Sequence, residues 1–219
     1  MVMNTVGIVG TAATAPQPYH NIYGRGNVYA LWLDTERDSG IKDRITVLFQ
    51  EDKIEGDSFQ SLPGDYMEPG GLAALITEGS RIEVTGAIQT YKDMNTGRVQ
   101  LFVWGLYLAA VPEGSNQLNS VYMYGEIAKE PVYRETPKGK RITDMALRIP
   151  SAFTEGFYSY IPCIAWKGLA ARAAELTEGD VVYLEGRLQS REYNKTTPEG
   201  DKTLTTWEVS VYKLETTEK

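Results

Sequence analysis

The chain writes one phrase twice. "AALITEGSRIEVTGAIQ" (73–89) returns as "AAELTEGDVVYLEGRLQ" (173–189), with seven of seventeen positions identical and most other apolar positions kept apolar. A long internal repeat constrains the fold more than any residue count, because both copies must satisfy one architecture. The echo continues on either side. "NTVGIVG" (4–10) parallels "NSVYMYG" (119–125), and "DRITV" (43–47) more weakly parallels "YSYIPCI" (158–164). "GRVQLFVWGLYLA" (97–109) parallels "DKTLTTWEVSVYKLE" (201–215). The offset falls along the chain because the first copy carries an insertion at 51–71, rich in Gly, Pro, Asp and Ser, which reads as a long loop. "AVPEGSNQ" (110–117) has linker composition. The expected division is an N-terminal, diverged domain at 1–112 and a C-terminal domain at 113–219.

Within each copy the dominant period is two. Val121, Met123, Gly125 and Ile127 alternate with Ser120, Tyr122, Tyr124 and Glu126; Val182, Leu184, Gly186 and Leu188 alternate in the same way further on. Such alternation predicts strands with one buried face. "TPKGK" (136–140), "DMNTG" (93–97) and "TPEGD" (197–201) carry hairpin chemistry between them. One helix per copy is predicted, in the second over "WKGLAARAAEL" (166–176), where Leu169, Ala173 and Leu176 share a face and Gly179 follows as a stop. Three strands, a short helix and two more strands is the order of the OB-fold. The expected fold is therefore all-β: two tandem OB-folds, each a five-stranded barrel with a short helix between strands 3 and 4. Gly86 and Gly186 suit the sharp coiling of such a barrel.

Composition excludes more than it identifies. No apolar run reaches the roughly 18 residues of a membrane span, no secretory leader pattern opens the chain, and the single cysteine, Cys163, rules out an internal disulfide framework and fits a cytoplasm. Cys163 sits on the apolar parity of a strand and is expected to be buried; His20, the lone histidine, is expected in a loop beside Tyr19. "DTERDSG" (34–40) fails the calcium-loop spacing, and "GRG" (24–26) is turn chemistry rather than a dinucleotide fingerprint. No metal site, cofactor or catalytic pair is expected, and the chain is not read as an enzyme. The net charge of −7 is uneven: −5 falls in residues 1–112 and −2 in residues 113–219. Cations concentrate in the second copy, and local patches decide phosphate binding.

The outward parity of the fourth strand there reads Arg187, Gln189, Arg191, Tyr193, with Lys195 next. Guanidiniums and rings interleaved on one sheet face fit single-stranded nucleic acid, the cations tracking phosphates while the rings stack on unpaired bases. Arg134, Lys138, Lys140 and Arg141 surround the first hairpin, Arg148 lies on the next strand, and Phe153, Phe157, Tyr158, Tyr160 and Trp166 supply aromatics. In the first copy Ala87 and Tyr91 replace Arg187 and Arg191, and Trp32 is expected to occupy the place of Arg148. The insertion is acidic. The second barrel is expected to carry more of the binding, with Trp32 and Tyr91 as the first copy's contribution.

The ordered set "NSVYMYGEIAKEPVYRETPKGKRITDMALRI…YIPCIAWKGLAARAAELTEGDVVYLEGRLQSREY…TTWEVSVYKLE" (119–215) resembles the bacterial single-stranded DNA-binding proteins, and the whole is similar to their two-domain members. The resemblance implies non-enzymatic, sequence-tolerant binding and protection of single-stranded DNA in replication, repair or recombination, in the bacterial cytoplasm and on the nucleoid. It implies stacking by Tyr160, Trp166 and Tyr193, with Phe153 or Phe157 before the third strand. It also implies a homodimer presenting four OB domains. The family's acidic, Phe-terminated tip is not matched where the chain stops at "KLETTEK", so recruitment of repair proteins by that route is not expected. The competing expectation is an OB-fold protein-interaction adaptor with weak or lost DNA affinity.

Overall fold

The computed structural model describes residues 3–22, 26–50, 71–93, 97–136, 138–151, 155–197 and 200–217. Phe153, nearly all of the 51–71 insertion and most of the "GRG" turn lie outside the described residues, as does the side chain of Lys195. The first repeat runs β1 (Met3–Ala12), β2 (Gln17–Ile22), β3 (Gly26–Glu36), β4 (Lys42–Gln50), α1 (Gly71–Leu75), β5 (Arg81–Lys92) and β6 (Val99–Ala110). The second runs β7 (Leu118–Ile127), β8 (Val132–Glu135), β9 (Arg141–Pro150), β10 (Tyr158–Trp166), α2 (Gly168–Ala173), β11 (Val181–Thr197) and β12 (Gly200–Thr216).

Both repeats show the predicted order, with a short extra strand, β2 or β8, ahead of the second long one. Their pairings match strand for strand. The first follows β2-β3-β4-β6-β5-β1 and closes through β3–β1; the second follows β8-β9-β10-β12-β11-β7 and closes through β7–β9. One parallel pair, β4–β6 or β10–β12, completes each closure. This is the OB-type barrel, in which closure removes most of the exposed sheet edge.

Alternation sets the core. Val121, Met123 and Ile127 meet Leu147, Ile149, Ile161, Val182, Leu184, Leu188 and Val209 inside the second barrel, all fully buried. Val6, Ile8, Leu31, Leu33, Ile45, Val47, Val84, Ile88 and Val103 do the same in the first. Gly186 marks where β11 and β12 cross most closely: a Cβ there would lie 2.6 Å from Val209 Cγ1 and 2.7 Å from the Ser210 carbonyl oxygen. The pairing register shifts at the same point, between Glu185 and Gly186. Gly86 faces the carbonyl of Trp104 in the equivalent place, so backbone approach explains the shared glycine.

The helix is shorter than the predicted 166–176. Only Gly168–Ala173 is α-helical, and Ala170 and Ala173 are its buried residues. The chain then tightens: Glu175 and Leu176 donate to the carbonyls of Arg172 and Ala173, three residues back. Leu176 still reaches the core from this turn.

Two compact units emerge, and they do not follow the repeats. One holds Thr5–Ile88 and Phe102–Asn119; the other holds Ser120–Lys219 together with Met1–Asn4 and Gln89–Leu101. The end of β5, its turn and the start of β6 thus pack with the second barrel.

Candidate nucleic-acid interface

Strand register defines one outward face on the second barrel. Arg187, Gln189, Arg191 and Tyr193 of β11 stand opposite Ser210, Glu208, Thr206 and Leu204 of β12. Ile164 of β10 stands opposite Ser210, and Tyr160 and Pro162 stand opposite Arg148 and Ala146 of β9. Side chains at alternate positions share a face. Four strands therefore bring Arg148, Tyr160, Trp166, Arg187, Arg191 and Tyr193 onto one surface, joining residues that are up to 45 positions apart in sequence.

The rings on this surface are open to solvent. Tyr160 is 50% exposed, Tyr193 37% and Phe157, at the loop entering β10, 67%. Trp166 is half-buried, and its Nε1 donates to Ser210 Oγ at 3.2 Å, which fixes the indole beside Arg187. Tyr158 also belongs to the face. It is 48% exposed, and the Arg148 guanidinium carbon lies 5.0 Å from its ring centroid, a cation–π contact. Its place beside Tyr160 follows from strand parity, since the two are two residues apart.

The cations fall into two sets. Arg134 pairs with Asp144 at 2.5 Å, Arg148 with Glu126 at 2.6 Å, and Arg191 with Glu208 at 3.0 Å. The bond to Glu126 pushes the Arg148 guanidinium pKa further up. Arg187, Lys138 and Arg141 make no ion pair among the described residues. Glu208 is the residue that sequence reasoning missed. It is only 3% exposed, yet its carboxylate sits in the middle of the face, accepting from Gln189 Nε2 at 3.0 Å as well as from Arg191. Its position on the outward parity of "WEVSV" was the available signal. Beneath it Cys163 is buried, and desolvation, with the Glu208 charge adding to it, pushes the thiol pKa strongly up. Such a thiol is inert.

The first repeat's equivalent face differs in chemistry. Gly10 and Gly125 hold matching places, and the next residues pair Thr11 with Asp34 and Glu126 with Arg148. Asp34, not Trp32, therefore occupies the place of Arg148; the parity argument for Trp32 was right but two residues out of register. Arg44, opposite Asp34, takes the place of Tyr160. These two form a two-pronged ion pair at 2.7 and 2.8 Å, and the Arg44 guanidinium holds the Asp34 carboxyl below its ordinary range. Trp32 and Trp104 instead pack against a buried cluster of Val28, Ala30, Leu48 and Phe102.

Tyr91, at the end of β5, is 42% exposed and belongs to the unit of the second barrel. Its neighbours explain why. The buried Ser159 hydroxyl donates to Gln89 Oε1 at 3.2 Å and accepts from the Thr90 N–H at 3.1 Å; the Tyr160 N–H donates to Thr90 Oγ1 at 3.1 Å. The β5 end is thus tied to the strand that carries Tyr160.

The sequence model described as the single-strand binding protein family matches residues 118–216. Single-stranded DNA-binding protein A of Bacillus subtilis (strain 168) is 33% identical over 81 residues, covering 35% of this chain and 47% of that protein. Single-stranded DNA-binding protein 1 of Staphylococcus aureus (strain COL) is 33% identical over 81 residues, covering 35% and 48%. The matched stretch thus spans about half the length of these relatives. The crystal structure of the wild-type single-stranded DNA binding protein from Thermus aquaticus superposes over 100% of this chain and 94% of its own, with a TM-score of 0.70 at 20% identity, a likeness of fold. No helix of the described residues is long and apolar enough to cross a membrane. The second repeat thus matches the single-strand binding protein family over residues 118–216, and the doubled barrel shares its fold with the Thermus aquaticus protein.

Proposed function

We propose that the second barrel holds single-stranded DNA, without sequence preference and without catalysis, along the face of β9, β10, β11 and β12. The observation that carries this reading is the convergence of Tyr160, Trp166 and Tyr193 with Arg148, Arg187 and Arg191 on one sheet surface. Exposed rings accept bases of any identity, each stacked base contributing roughly 1–3 kcal/mol, while the guanidiniums follow the phosphates. Arg134, Lys138 and Arg141 extend the cationic path toward the first hairpin, and Phe157 extends the aromatic surface at the entrance to β10. The first barrel contributes less, because Asp34 and Arg44 neutralise each other where the second barrel has Arg148 and Tyr160.

Two such chains would present four barrels as a homodimer, and protection of DNA during replication, repair or recombination in a bacterial cytoplasm is the role we assign. The test is a titration of tryptophan fluorescence with single-stranded DNA, duplex DNA and RNA oligomers at two salt concentrations. Oligo-dT should quench the signal, with affinity falling as salt rises. Absence of both quenching and a gel shift at low salt would end the proposal. A protein-interaction adaptor is the competing reading, favoured by the carboxylates already paired to Arg134, Arg148 and Arg191. The variant Arg187→Glu, at a cation with no ion pair among the described residues, separates the two, since an adaptor tolerates it and a DNA binder loses affinity.

A further inference from the structure

We infer that the end of the first repeat's β5–β6 hairpin is a working wall of the DNA surface on the second barrel, closing a slot that takes a nucleobase. This rests on the proposed function and assigns a part of the binding surface to a segment of the other repeat. Two adjoining cavities support it, both lined wholly by residues of one compact unit. The first, about 440 Å³, is walled by Arg98, Val99, Pro162, Tyr193, Thr206 and Trp207 among others. The second, about 570 Å³, shares Val99, Pro162 and Thr206 with it and reaches Tyr160, Arg191 and Glu208. Both volumes fall within the roughly 300–1,000 Å³ of small-ligand sites.

Val99 and Pro162 supply apolar walls, and Tyr193 and Tyr160 supply a ring in each cavity. Arg191 and Glu208 offer a donor and an acceptor to the polar edge of a base, and Arg98 adds a cation to the first cavity. Val99 is 54% exposed, an uncommon state for a β-branched residue on a strand, and it stands at the point the two cavities share. The wall is held in place by the buried Gln89–Ser159 bond and the two Thr90 bonds, so it is a built part of the surface. A strand passing from Tyr193 over Pro162 to Tyr160 would therefore run between its own barrel and the borrowed hairpin.

The experiment uses the whole chain. The thiol introduced by Val99→Cys is distinguishable from Cys163, which is buried. An Ile41→Cys variant, at a position 51% exposed in the other compact unit, is the control. Saturating oligo-dT should slow maleimide alkylation at position 99 by about fivefold or more, the lower end expected of a group covered by one stacked base, and leave position 41 unchanged. Arg98→Glu should also weaken oligo-dT binding and make the salt dependence shallower by about 0.7 for each phosphate no longer neutralised. If the wild-type chain does not bind oligo-dT, the proposed function falls and the slot falls with it. If it binds while position 99 reacts equally fast in both states and Arg98→Glu changes nothing, the slot is overturned and the proposed function stands.

Discussion

Glu208→Gln is the variant that most directly reads the electrostatic state of the face. The carboxylate is almost fully buried, and it accepts from Gln189 Nε2 and Arg191 Nε, each at 3.0 Å. An amide of the same shape still accepts from Arg191 but no longer cancels its charge. Two consequences follow with opposite signs. Stability should fall by about 1–2 kcal/mol, the loss of a charge-assisted bond, and not by the roughly 3–5 kcal/mol of a stranded buried ion. The smaller figure applies because the Arg191 side chain is 35% exposed and remains solvated.

DNA binding should become more salt-dependent. In the native chain Arg191 meets a phosphate with a carboxylate already beside it; in the variant it acts as a full counter-charge. One further phosphate neutralised on a single strand steepens the slope of log K against log salt by about 0.7, which is about 2.6-fold across a fourfold change in salt. Fluorescence titrations with oligo-dT between roughly 50 and 200 mM salt resolve such a change, and urea melts give the stability. An unchanged or shallower slope with the fold intact would show that Arg191 does not meet the phosphates, and the binding path would have to be redrawn away from β11.

Tyr160→Ala and Tyr193→Ala should each weaken oligo-dT binding by roughly 1–3 kcal/mol, about 5- to 150-fold, with little change in salt slope because a ring and not a charge is removed. Gly186→Ala should destabilise the second barrel measurably in urea, by about 1–3 kcal/mol, because its methyl group would meet Val209 and the Ser210 carbonyl at 2.6 and 2.7 Å. Asp34 gives a pH signature. Its carboxyl lies below the ordinary 3.8, first through the bond from Arg44, so its contribution is full above the unfolded value and is lost as pH falls through the folded one. Asp34→Asn should therefore flatten the acid limb of the stability curve, by less than about 1 kcal/mol for a pair this exposed.

Much of the fold was legible because the repeat and the two-residue period are local and redundant. Gly86 and Gly186 could be read as sites of tight coiling since no other residue type fits beneath a crossing carbonyl. The helix was overextended because Leu169, Ala173 and Leu176 keep helical spacing while the backbone tightens after Ala173, an outcome set by the neighbouring turn and not by periodicity. On the site, Arg187, Arg191 and Tyr193 could be placed on one face from spacing alone, since they share a strand. Trp32 could not be aligned with Arg148, because that comparison needs the pairing with β1 and β7, which sequence spacing does not carry. Glu208 escaped for a related reason: an acidic residue beside a tryptophan reads as solvent-facing until the register puts Gln189 and Arg191 over it.

The bond between Gln89 and Ser159 changes what a gene dissection would yield. A fragment beginning at residue 113 would keep every strand of its own barrel, yet it would lose the partner of a sequestered serine hydroxyl and the acceptor for the Tyr160 amide. Both groups would turn to water beside the ring on which the proposed stacking depends. Duplication ordinarily leaves modules free to be lost or shuffled one at a time. Here one copy has lent a finger to the other, and the pair can no longer be inherited separately without cost.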